Sequence, residues 1–270
     1  MRYARGYRFL HDGCAPEGGA PPVKMLLGPW PADKPLAELR RTFPQVEFGV
    51  AASPADVVAQ IVHADAYFGA PNADAVRAAR RLRWIQASSA GVEWLEAVPT
   101  VVESDIVVTN TRGAHAGTIG EHVFAMLLTF TRQMRFFDEC QRQHKWSRAE
   151  GEERVQGLAG KMLAIIGLGN IGRAIGLRAA VSRGGIVDED ALVEALRTER
   201  LAGAGLDVTL REPLAADSPL WDVERLIITP HVSAHSQRTM NLMWEIVKEN
   251  IAHFLAGEPL TNLVDKRLGY

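Results

Sequence analysis

Three glycines carry the sharpest chemical signal in this 270-residue sequence. Gly167, Gly169 and Gly172 stand in G-x-G-x-x-G spacing inside MLAIIGLGNIGRAIGLRAA, residues 162–180. In that spacing the first glycine allows a tight turn and the second lets backbone close on a pyrophosphate. The third lets a helix pack on the preceding strand. The chemistry is anion capture, because a helix start offers unpaired N–H groups and the positive end of its dipole to a phosphate. The motif alone is weak, since an ordinary strand–turn–helix that binds nothing can carry it. Its flanks strengthen it. Met162 to Ile166 are apolar over the length of a buried strand, and Ile171, Ala174, Ile175 and Arg178 continue at helical spacing.

A chain that presents such a turn needs a parallel sheet behind it. From Val23 the sequence alternates between strand-like and helix-like segments. VKMLLG, VEFGV, DAYFGAP, LRWIQASSAG and IVVTN read as strands; PLAELRRTF, PADVVAQIVHA and ADAVRAARRL read as the helices between them. That alternation predicts a doubly wound α/β unit closing near Asn110. A long helix over 118–137 follows, with Thr118 and Glu121 as a capping box and Val123, Met126, Leu127, Phe130, Met134 and Phe137 as its apolar stripe. Residues 144–157 read as a polar connection. Beyond the glycine turn, VDEDALVEAL is a helix with Asp188 as N-cap, AGLDV and LIIT are strands, and a last helix with an apolar face over Leu242–Phe254 stops at Gly257.

Apolar residues make up 47% and charged residues 23%, the balance of a globular chain with ample core. The formal net charge of -2 points to neither nucleic acid nor an acidic membrane as partner, and Arg77, Arg80, Arg81 and Arg83 read as a solvated helix end. Cys14 and Cys140 have no metal-ligand spacing and suggest no disulfide framework, so no metal and a reducing, cytoplasmic setting are expected. No apolar run reaches transmembrane length, and the N-terminus lacks the apolar stretch of a signal peptide.

Four ordered segments then make the chain recognisable: GLGNIG (167–172), SRGGIVDEDAL (182–192), LDVTLREPL (206–214) and TPHVSAHS (229–236). WIQASSAGVEWL (84–95) and NTRGAHAGTIGEHV (110–123) fit the same pattern. Together they resemble the D-isomer specific 2-hydroxyacid dehydrogenases, most of all the glyoxylate/hydroxypyruvate reductase branch. The run DSPLW (217–221) resembles that branch too.

The resemblance implies a Rossmann-type NAD(P)-binding domain, a flavodoxin-like substrate domain and an active cleft between them. Residues 1–22 would be an N-terminal extension. Residues 23–110, completed by 236–270, would form the substrate domain, and residues 111–235 the cofactor domain. It implies NAD or NADP as cofactor, contacted by Gly167, Leu168, Gly169, Asn170, Ile171, Gly172, Ser182 and Asp207, the last beside the nicotinamide carboxamide. The backbone of Ala90, Gly91 and Val92 would receive the substrate carboxylate, as bare N–H groups in a glycine loop can. Arg183 would hold that carboxylate and the carbonyl, its planar fork suiting a bidentate grip. His231 would be the general acid/base, and Glu212 its partner, favouring the imidazolium. Glutamine stands at the Glu212 position in the formate dehydrogenases of the superfamily, so Glu212 argues against that activity. Taken singly, Arg183 is a surface charge, Glu212 a turn residue before Pro213, Asp207 a strand-end cap and His231 a strand-end polar residue; only their joint order makes a site. His115, His122, His235 and His253 are assigned no chemistry.

One feature departs from the pattern. The family places two more βα units, roughly 60 residues at about 30 each, between the positions of Ala180 and Val181. They would hold the residue that selects NAD or NADP. Either the sequence is joined across an omitted segment or the chain is really this short. The first is favoured, since a parallel sheet stripped of interior strands exposes unpaired backbone and apolar faces. The expected activity is reduction of a small 2-oxo acid of the glyoxylate/hydroxypyruvate type to the D-2-hydroxy acid by a homodimer, with no nucleic-acid or membrane partner. The alternatives are a cofactor-sensing scaffold like the corepressors that share this fold, and a degenerate pseudo-enzyme.

Overall fold

Alternating apolar residues in the first strands decide the architecture of the N-terminal part. The computed structural model describes residues 22–29, 33–158, 169–171, 189–198, 201 and 203–269. Five strands, β1 (Val23–Leu27), β2 (Val46–Val50), β3 (Ala66–Phe68), β4 (Trp84–Gln86) and β5 (Val107–Thr109), pair in parallel in the order β2-β1-β3-β4-β5. This is the flavodoxin-like order of doubly wound sheets, as the sequence implied. Successive side chains go to opposite faces. Met25, Leu27, Phe68, Trp84 and Val107 join Leu39 of α1 (Asp33–Thr42) and Trp244, Val247 and Ile251 of the final helix, Gln237–Ala256, in one core. Leu26, Tyr67, Ile85 and Val108 join Val57 of α2 (Pro54–Gln60), Ala75 of α3 (Ala73–Ala78) and Val101 of α4 (Pro99–Glu103) in the other. Both faces are therefore covered, as an all-parallel sheet requires.

A buried polar network ties the last helix to this sheet. Asn250 donates to Gln86 Oε1 at 2.8 Å and accepts from the Thr261 N–H at 2.7 Å. Thr109 Oγ1 donates to the same Gln86 oxygen and accepts from Trp84 Nε1, both at 2.8 Å. Each member has its partner, which matters because a buried polar group left unpaired costs about 1–3 kcal/mol.

The chain divides into two compact units. One comprises residues up to Ala114 together with Met240–Tyr270, and the other is His115–Thr239. The sequence reading set the divisions at 110/111 and 235/236. In the second unit the described elements are α5 (Ala116–Thr131), α6 (Met134–Arg142), α7 (Arg148–Arg154), the helix Glu189–Arg197, and the parallel pair β6 (Ala204–Leu206) and β7 (Leu226–Ile228). Val193, Leu196, Leu206, Leu220 and Leu226 form its core. Helix α5 comes close to β6 at Gly205, where an added Cβ would fall 2.4 Å from Met126 Sδ.

Three expectations are corrected here. The 118–137 helix is two helices, because Thr129 and Thr131 turn their hydroxyls back onto the carbonyls of Ala125 and Leu127 and Gln133 adopts a left-handed φ of 56°. The capping box does not form: the helix begins at Ala116, and the Thr118 hydroxyl bonds with those of Ser236 and Thr239 instead. The 144–157 connection contains α7, supported by Arg148–Glu152 and Glu150–Arg154 pairs four residues apart. No described helix is long and apolar enough to cross a membrane.

Candidate active site

Strands β6 and β7 end side by side, Leu206 paired with Ile228, so the residues just beyond them meet. In open α/β sheets ligands gather at these carboxyl ends. Asp207 follows β6 and is 4% exposed. Its Oδ1 accepts the Thr229 hydroxyl at 2.6 Å and the Val232 N–H at 3.0 Å, and its Oδ2 accepts the Ser233 N–H at 3.0 Å. Its carbonyl accepts the His231 N–H at 2.8 Å. Burial pushes this carboxyl up, but bonds from the Ser233 and Thr229 side chains and from the Ser233 and Val232 N–H groups outweigh it and hold the acid below its ordinary range. The 229–233 turn is thus wrapped around one buried charge.

That turn carries His231, whose φ of 54° is left-handed. Such a backbone is uncommon for a residue with a Cβ and persists where its surroundings over-determine it. The ring Nδ1 lies 2.7 Å from Glu212 Oε2. Glu212 Oε1 accepts the Thr209 N–H at 3.0 Å, so the loop after β6 fixes the carboxylate before it meets the ring. The bond from His231 holds the Glu212 carboxyl below its usual range; partial burial opposes this, and the Thr209 N–H assists it. With Nδ1 engaged, Nε2 is the nitrogen left to face a ligand. The His231 side chain is 62% exposed.

In the other unit, the loop after β4 holds Ala90, Gly91 and Val92. Its carbonyls are taken: Ser89 O by the Thr111 N–H, Ala90 O by Asn110 Nδ2 and Gly91 O by Ser89 Oγ. No N–H from Ser88 to Val92 has a partner among the described residues, which leaves a row of donors suited to a carboxylate.

Of the glycine turn, Gly169, Asn170 and Ile171 are described. A helix starts at Asn170, and Ile171 packs beside Ile119. A Cβ built on Gly169 meets no atom within 4 Å among the described residues, so their packing does not demand a glycine there, whereas a pyrophosphate laid on the backbone would. These residues fit a dinucleotide. Gly167, Leu168, Gly172, Ser182 and Arg183 lie outside the described residues, as do Asp188 and residues 1–21. Among the described residues, no group of three or more His, Cys, Asp or Glu is placed to hold a metal.

Sequence reasoning missed His122. Its Nε2 lies 2.9 Å from the Thr229 hydroxyl and 3.7 Å from Asp207 Oδ1. Nothing in its spacing announces this, because Asp207 and Thr229 stand far downstream, Thr229 by 107 residues.

Residues 124–182 and 179–233 match the NAD binding domain of the D-isomer specific 2-hydroxyacid dehydrogenases. The two matched segments meet at 179–182. A glyoxylate reductase of Korarchaeum cryptofilum is 27% identical over 73% of this chain and 80% of its own. That match runs over 267 positions; 73% of 270 residues is about 197, so about 70 positions find no counterpart here. The chain spans about half, 49%, of the D-3-phosphoglycerate dehydrogenase of Archaeoglobus fulgidus that it also matches at 24% identity over 72% of this chain. A crystal structure of a D-isomer specific 2-hydroxyacid dehydrogenase family protein from Aeromonas salmonicida is 25% identical, with a TM-score of 0.73 over 92% of this chain and 100% of that one. An NADPH-dependent glyoxylate/hydroxypyruvate reductase of Sinorhizobium meliloti, solved with NADP and sulfate, shares the fold with a TM-score of 0.75 at 21% identity, over 92% of this chain and 100% of its own.

Proposed function

The chain belongs to the D-isomer specific 2-hydroxyacid dehydrogenase family, and from that premise we propose that it reduces a small 2-oxo acid of the glyoxylate/hydroxypyruvate type to the D-2-hydroxy acid. The observation that carries the reading is the 2.7 Å contact between His231 Nδ1 and Glu212. A bound NAD(P)H supplies the hydride. Reduction then needs a proton on the ketone oxygen, and His231 gives it from Nε2 as a general acid. Glu212 fixes the ring through Nδ1. The N–H row at Ser88–Val92 is assigned the substrate carboxylate. Arg183 is assigned the same carboxylate and the carbonyl on the resemblance, and would orient C2 towards the hydride. The Gly169–Ile171 turn is assigned the pyrophosphate.

The junction of the two matched segments at 179–182 supports placing the absent βα units, and the selector of NAD or NADP with them, between Ala180 and Val181. A homodimer is the proposed assembly, since Leu128 on α5, Met134 on α6 and Trp146 beyond it are 40%, 53% and 91% exposed. The reductase reading is tested by following NADH and NADPH oxidation with glyoxylate and hydroxypyruvate. Turnover with either acid supports it. No turnover with any small 2-oxo acid, in a protein that binds the cofactor, would put the scaffold reading first.

A further inference from the structure

We propose that His122 is a positioning residue for His231, acting through the Thr229 hydroxyl and the Asp207 carboxylate. The proposal rests on the reading of His231 as the general acid, but its geometry stands by itself. The direction of each bond in the chain can be worked out. Thr229 Oγ1 lies 2.6 Å from Asp207 Oδ1 and 2.9 Å from His122 Nε2. A carboxylate only accepts. The single Thr229 proton therefore goes to Asp207, since two oxygens 2.6 Å apart without a proton between them would repel. The Thr229 oxygen is left as an acceptor, and His122 Nε2 must be the donor. Its ring is then held in the Nε2–H form.

The consequence runs from helix α5 to the catalytic turn. Asp207 Oδ1 binds both the Thr229 hydroxyl and the Val232 N–H, and Oδ2 binds the Ser233 N–H. Thr229 also accepts the His231 N–H on its carbonyl, at 3.0 Å. The residue that His122 grips thus opens the turn, and the carboxylate served by that residue closes it. His231 stands between them with its left-handed φ. Losing the His122 bond frees the Thr229 rotamer and with it one of the donors that hold Asp207. His122 does not meet the reacting atoms in this scheme: its donor nitrogen is spent on Thr229. It lies just outside the segment that matches the family, which begins at residue 124.

The test compares His122→Leu, which removes the donor, with His122→Gln, whose side-chain amide can still donate to Thr229. Turnover is read with glyoxylate and hydroxypyruvate, and amide hydrogen exchange of the 231–233 segment is read in the same proteins. We expect His122→Leu to lower kcat on the order of tenfold, short of the roughly hundredfold that a 1 Å misplacement can cost. KM should change little, exchange at 231–233 should rise by about fivefold, the scale of one hydrogen bond, and Gln should restore both. In a Thr229→Val background the Leu substitution should add nothing further. Parental kcat and exchange in His122→Leu would overturn the proposal. So would equal losses in Leu and Gln together with a lowered Tm, which would make His122 a packing residue. If the parent protein turns over no 2-oxo acid, the reductase reading falls separately, and the exchange comparison alone decides whether His122 holds the turn.

Discussion

Replacing Asp207 by asparagine changes one heavy atom and tests what the His231 turn is built on. The carboxylate accepts on both oxygens, from the Thr229 hydroxyl and the Val232 N–H on one side and the Ser233 N–H on the other. An amide keeps the shape but has one acceptor. Its best placement puts the oxygen towards Thr229 and Val232, which leaves an NH2 group facing the Ser233 N–H. The bond from the Ser233 N–H is lost, that buried donor is orphaned, and the remaining bonds lose their charge assistance. A hydrogen bond to a charged group is worth about 1.5–3 kcal/mol, and an orphaned buried donor costs about 1–3 kcal/mol. A loss near 3 kcal/mol for the turn is the working figure, more than a hundredfold in the ratio of formed to open turn. Asp207→Asn should therefore lower kcat by tenfold or more while the Kd for NADH or NADPH, read by fluorescence titration, stays within about twofold. The alternative, a direct bond from Asp207 to the carboxamide, gives a different pattern. If Asp207→Asn raises the cofactor Kd tenfold and leaves kcat at saturation intact, the turn-support reasoning is wrong. If neither moves, the carboxylate is dispensable to both.

Further outcomes are expected at other residues. His231→Ala should lower kcat about a hundredfold or more; Glu212→Gln should lower kcat by a smaller factor, because the bond at His231 Nδ1 then loses its charge assistance. The Glu212 carboxyl is held below its ordinary range by His231, so whatever stability the pair adds is present above the unfolded carboxylate pKa, about 4.3. It is lost as pH falls through the lower folded value; with both groups substantially exposed it stays below about 1 kcal/mol, and acid titration of Tm in parent and Glu212→Gln measures it. Gly169→Val should weaken NAD(P)H binding while leaving Tm nearly unchanged, since its Cβ meets nothing among the described residues; equal affinity in titration would remove the pyrophosphate from this turn. Sedimentation at micromolar concentration should show a two-fold dimer, and a Trp146→Ser variant should shift it towards monomer.

Much of the N-terminal unit was legible because its signals are local. Five apolar runs, each short and bounded by turn residues, are strands whatever else the chain does, and the period of two sends Leu26 to one core and Leu27 to the other. The breaks and caps were less legible. A T-x-x-E pattern at Thr118 competes with partners 118 and 121 residues away, and the distant hydroxyls of Ser236 and Thr239 won. Helix α7 hides in a polar stretch because its support comes from charge pairs and carries no apolar stripe. At Thr118, tertiary contacts outweighed a weak local preference.

The candidate site divides along the same line, and the division has a physical cause. The groups proposed to meet a ligand, Glu212 and His231, fall in the short ordered segments REP and TPH, which reading along the chain can find. Groups that hold those segments in place need only be close in space. His122 serves the His231 turn from a helix 107 residues before Thr229 in sequence, and no local pattern could mark it. Asp207 shows both sides of this. Its position was legible as the residue after a strand, but what it does there was not, because both of its oxygens are satisfied by the turn that follows β7. A buried carboxylate so fully engaged has little capacity left for a ligand, and that saturation is the reason to assign Asp207 to the support of His231 and to make cofactor affinity the measurement that decides between the two roles.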